Sequence, residues 1–121
     1  MEDFVTYEIA VKLKEKGFDD ECHAYYYEPL KHCLNFSRVF KTNSLIENYN
    51  CITAPTVSQV LKWLREKRHT YIYVDVCKAG YFFEVKCLRS FYMINTTFFD
   101  KHKSYEQAAI AGIEYVIDNL I

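Results

Sequence analysis

Apolar positions along the chain follow a helical spacing in three segments and a two-residue alternation between them. In the first helical segment, Ile9, Ala10 and Leu13 recur on one face behind Thr6, whose hydroxyl suits an N-cap. The run "EKGF" ends it: Gly17 can take the left-handed position past the last turn, and Phe18 can fold back on Leu13. Tyr7 and Val11 add a narrow second strip beside a Glu8–Lys12 pair at one-turn spacing. In the second segment Pro55 keeps Ala54 out of a helix, and "TVSQ" reads as a capping box in which Thr56 caps and Gln59 reaches back. Val57, Val60, Leu61 and Leu64 then share one stripe with Trp63 at its border, while Lys62, Arg65 and Glu66 take the solvated side. The third segment opens on "SYEQ", with Ser104 and Gln107 as its box, and turns Ala109, Gly112, Ile113, Val116 and Leu120 inward. A glycine inside a helix costs about 1 kcal/mol against alanine, so a close packing partner is expected at Gly112.

Strands fill the intervals. "CHAYYY" (22–27) and the segment around "LNFSRVF" (34–40) form a first pair through "EPLKH", followed by a polar loop, "KTNSLIENYN". "TYIYVDVC" (70–77) and "YFFEVKCL" (81–88) form a hairpin about Ala79-Gly80, and "FYMINTTFFD" adds a third strand. Placing Val76 opposite Phe83 sets Val74 against Val85 and Ile72 against Cys87, all on one face. The order αββαβββα predicts an α+β fold: a single domain over 1–121 in two layers, with helices packed on an antiparallel sheet.

Length and composition agree with that reading. A chain of 121 residues is of one-domain size, and half of it is hydrophobic, which is ample for a core. The net charge of −1 creates no global field to recruit a polyanion or an anionic membrane, so nucleic-acid binding would need a local basic patch. No run approaches 18 apolar residues, and the start "MEDFVTYEIAVKLKEKGF" lacks the basic-then-apolar layout of an export signal. Five cysteines, an odd number without a CxxC pair, then predict reduced thiols in a cytoplasmic protein and no disulfide framework.

The blocks "LKEKGFDDECHAYYY", "APTVSQVLKWLREK" and "SYEQAAIAGIEYVIDNLI" together resemble a family of small uncharacterised proteins encoded by the genomes, prophages and phages of gut Bacteroides. The similarity runs over essentially the whole chain. It implies an intracellular, single-domain α+β protein of mobile-element origin, and it brings no catalytic residues with it.

Three constellations suggest chemistry. The expected hairpin register sets Asp75 opposite Glu84, with Lys86 on the same face. An Asp followed by Glu-x-Lys on the next strand resembles the metal site of restriction-type nucleases, where carboxylates hold Mg²⁺ and the lysine assists the attacking water. An ordinary solvent face reads the same way, because facing acids cost at most about 1 kcal/mol. A second constellation is basic: Lys62, Arg65, Lys67 and Arg68 on the middle helix, and Lys101 and Lys103 before the last one. The αβββα order of the second half is that of a double-stranded-RNA-binding domain, yet its final helix begins with Glu106 where a phosphate grip needs a base. The third is aromatic: Tyr71, Tyr73 and Phe82 fall on the outer face of the hairpin, where they can meet a partner protein, a second copy of the chain or stacked bases. Cys22-His23 and His32-Cys33 lie too far apart along their strands to converge on zinc, and three scattered glycines cannot build a phosphate loop. The sequence therefore predicts no cofactor, no metal and no catalytic set. The leading expectation is a small non-enzymatic binding or accessory protein acting through a protein–protein surface, ahead of a nucleic-acid binder and of a Mg²⁺-dependent nuclease.

Overall fold

The computed structural model describes residues 3–89 and 92–121. The chain is α+β, and it divides into two compact units, Met1–Thr56 and Val57–Ile121.

The first unit opens with helix α1 (Tyr7–Glu15), capped by Thr6, whose Oγ1 accepts from the Ile9 amide at 3.4 Å. Its exit is a Schellman turn: Phe18 N–H donates to Leu13 O at 2.9 Å and Gly17 N–H to Lys14 O at 3.1 Å, with Gly17 at φ 92°. Phe18, Ile9, Ala10 and Leu13 are buried, as the stripe predicts. Strands β1 (Cys22–Tyr27) and β2 (Leu34–Lys41) pair antiparallel through a short 3-10 turn at Glu28–Leu30.

The next stretch departs from expectation. The polar "KTNSLIENYN" is not loop throughout: it holds helix α2 (Asn43–Ile46), capped by Thr42, and a 3-10 turn at Glu47–Tyr49. It delivers an unforeseen strand, β3 (Cys51–Thr53), to the other side of β1, giving the order β2-β1-β3. Asn43 explains why this polar segment folds. Buried at the start of α2, it donates from Nδ2 to Phe18 O at 2.7 Å and accepts at Oδ1 from Thr53 N at 2.9 Å. One amide thus satisfies two otherwise orphaned backbone groups and ties the exit of α1 to β3. Asp19 adds a second clamp, its carboxylate accepting from Ser44 N at 2.7 Å and Ser44 Oγ at 2.6 Å; these bonds hold its pKa below the ordinary carboxylate value.

The second unit begins with α3 (Val57–Arg68), which buries Val57, Val60, Leu61, Trp63 and Leu64. His69, at φ 49°, turns the chain into β4 (Thr70–Cys77), and its carbonyl accepts from Leu88 N at 3.1 Å. Strands β5 (Gly80–Arg89) and β6 (Tyr92–His102) complete an antiparallel sheet in the order β4-β5-β6. Helix α4 (Tyr105–Asn119) packs on all three strands. Ser104 caps it by accepting from Gln107 N at 3.1 Å, while Gln107 Oε1 accepts from Lys103 N, one residue earlier than a standard box.

The hairpin register is displaced by two residues from the one expected. Val76 faces Tyr81, Val74 faces Phe83 and Ile72 faces Val85, so Cys77 meets Gly80 across a two-residue turn, Lys78-Ala79. Neither turn residue takes a positive φ, so Gly80 at φ 138° absorbs the twist that a primed turn would supply. A Cβ there would also lie 2.7 Å from His102 O on β6. A shift of two preserves which residues share a face: Ile72, Val74, Phe83, Val85 and Cys87 still look one way. On the helix-covered side Phe83, Val85 and Cys87 are buried, whereas Val76, expected inside, is 61% exposed near the hairpin tip.

Gly112 brings α4 onto this sheet. A Cβ at that position would come within 2.7 Å of Ile72 Cγ2 and 3.3 Å of Phe83 Cδ2. Gly112→Ala should therefore destabilise the protein by about 1–3 kcal/mol in urea titrations, reversing the gain that helix propensity alone predicts. Asn43→Ala should cost about 2–4 kcal/mol in the same assay by stranding the Phe18 carbonyl and the Thr53 amide.

Candidate functional site

The register decides what the outer face of the hairpin presents. Tyr73 now stands opposite Glu84, Tyr71 opposite Lys86 and Asp75 opposite Phe82. The expected Asp75–Glu84 pairing is therefore not formed: the two acids lie on a diagonal. Asp75 Oδ1 accepts from Val76 N at 2.8 Å, and Glu84 pairs with Lys86 at 3.6 Å. Among the described residues no group of three or more His, Cys, Asp and Glu side chains is placed to hold a metal ion.

The aromatic members of the same face do come together. The rings of Tyr71 and Tyr73 stack at 6.4 Å with 12° between their planes, and Lys86 Nζ lies 5.4 Å from the centre of the Tyr73 ring. Tyr71 and Phe82 are half-buried, and Tyr73 is 51% exposed. The strip is thus an ordered ring stack with a cation laid on it, bordered by an acid.

The basic residues are more dispersed. Lys62 and Arg65 are exposed on α3, as are Lys101 at the end of β6 and Lys103 before α4. Lys62 sits 3.9 Å from Glu66, and the Arg68 guanidinium lies 5.4 Å from the centre of the Trp63 ring. Part of the α3 charge is therefore engaged on the helix itself rather than presented as a continuous stripe.

The segment read as a polar loop, together with the strand before it, holds what the sequence did not disclose. Phe36, Leu45 and Tyr49 are 65%, 59% and 70% exposed, and Val39 and Phe40 beside them are also largely in solvent. The first three help to line a cavity of about 480 Å³ in the first unit, together with Tyr25, Ile46, Ser37, Lys41 and Cys51. The β2 wall is irregular: Cys22 pairs with Lys41 but Ala24 with Phe36, so His23 alone stands against Ser37–Phe40. His23 packs on Phe40 at 4.0 Å between ring centres, and its Nδ1–H donates to Ser37 O at 3.2 Å. The available signal was Thr42, whose Oγ1 accepts from Leu45 N at 3.2 Å: a cap before "NSLI" marks a helical turn carrying two aliphatic side chains.

No protein-family model, curated protein or solved structure matches the chain. No helix among the described residues is long and apolar enough to cross a membrane.

All five cysteines are free thiols. Burial, with a smaller contribution from the Asp20 charge, pushes Cys22 up to about 11, and burial also raises Cys51. Alkylation of the native protein at mildly alkaline pH, mapped by peptide mass, should therefore modify the exposed Cys33 and Cys77 first and Cys51 more slowly. Cys22 and Cys87 should react only after denaturation.

Proposed function

We propose that the protein is a small, non-catalytic binding protein that works through a protein–protein surface on the outer face of the β4–β5 hairpin. The observation that supports this is Tyr73, half in solvent yet in contact with both the Tyr71 ring, 6.4 Å away, and the Lys86 ammonium, 5.4 Å from its own ring centre. A tyrosine has few torsions to freeze, and one already ordered in the free protein gives up little entropy when a partner covers it. Tyrosines of this kind are frequent anchors of interface energy, and the Glu84–Lys86 pair beside it suits a polar rim.

The test places a photo-crosslinking residue at position 73 and, as a control, at the exposed Glu114, in cells producing the protein. Light scattering of the purified chain over a range of concentrations runs alongside. Position 73 should yield a saturable protein adduct that position 114 does not, or the wild type should double its mass with concentration. Tyr73→Ala should weaken whichever association is found by about 30-fold, the effect of losing an anchor worth roughly 2 kcal/mol. A strict monomer with equal crosslinking at both positions would overturn the proposal.

A further inference from the structure

We infer that the first unit carries a binding site for a small amphipathic carboxylate: the cavity bounded by β2, α2 and the 3-10 turn that follows. This is independent of the hairpin surface. Its volume of about 480 Å³ falls in the range of roughly 300–1,000 Å³ that small-molecule sites occupy. Tyr25, Phe36, Leu45, Ile46 and Tyr49 supply apolar walls for the body of a ligand.

Charge assigns the head group. Lys41 is the single charged residue in the lining, it is half-buried, and among the described residues no carboxylate lies within ion-pairing distance of it. The polar groups beside it can all donate. The Tyr25 and Tyr49 hydroxyls make no hydrogen bond to described residues, and Ser37 Oγ accepts from Val39 N at 3.3 Å with its proton still to give. One cation among hydroxyls able to donate suits an acceptor head of single negative charge, of which the carboxylate is the smallest common form. A phosphate dianion would want an arginine fork or a nest of backbone amides, and no arginine lines the cavity. The thiol of Cys51 is turned to Tyr49 O at 3.4 Å and takes no part.

The chemistry is tested by calorimetric titration of the full-length protein with octanoate and 2-naphthoate, with octan-1-ol as the uncharged counterpart of the first. Both acids should bind one to one below millimolar concentration, and the alcohol about 10- to 100-fold more weakly, the range set by one charge-assisted hydrogen bond. Lys41→Gln should reduce octanoate to the affinity of the alcohol. Leu45→Arg, at a position exposed enough to leave folding intact, should abolish binding of all three probes. Tyr73→Ala should leave the titration unchanged, which separates this site from the hairpin surface. Equal affinity for acid and alcohol, or acid binding that survives both Lys41→Gln and Leu45→Arg, would overturn the inference. So would the absence of heat with both acids at millimolar concentration.

Discussion

The pairing of β4 with β5 through the Lys78-Ala79 turn is the constraint on which the second unit rests. The turn leaves only two residues between the paired Cys77 and Gly80, and Gly80, at φ 138°, is the residue of that corner with a positive φ. Once Val74 faces Phe83 and Ile72 faces Val85, the central strand offers α4 a ridge of buried side chains at Phe83, Val85 and Cys87. Gly112 lets the helix settle onto Ile72 and Phe83 without a Cβ between them. The same register sets Tyr73 against Glu84 on the opposite face, so helix seat and aromatic stack follow from a single alignment.

The first unit uses a different device. Its sheet has one very short strand, and its stability depends on polar groups placed to satisfy backbone that strand pairing leaves over. Asn43 bridges the Phe18 carbonyl to the Thr53 amide, Asp19 clamps Ser44, and the Tyr26 hydroxyl donates to Val5 O at 2.7 Å. Left-handed Asn50 makes the corner into β3 while its carbonyl accepts from Glu28 N at 2.8 Å. Such interactions are specific in geometry and nearly invisible in hydropathy.

That contrast explains what could be read from the sequence. The three long helices are marked by caps and stripes within a few residues of one another, and Thr6, Ser104, Gly17 and Gly112 act as their positions suggest. Alternation in the hairpin gave the faces but not the pairing, because a slip of two residues leaves every side chain on its own side. It was enough to separate Asp75 from Glu84. Strand β3 has three residues and no alternation to display, and α2 has a single turn. Both escape any pattern that needs a window of ten residues, and with them went the cavity between Phe36 and Tyr49.

The bulge in β2 also bears on how this chain behaves at high concentration. β2 is the outer strand of its sheet and carries Phe36, Val39 and Phe40 in the open, a composition that would otherwise invite chain-on-chain stacking into fibrils. Four consecutive residues set against one break the regular spacing of amides and carbonyls that an incoming chain must copy. The distortion that shapes one wall of the cavity therefore leaves this apolar outer strand an uneven template for an incoming chain.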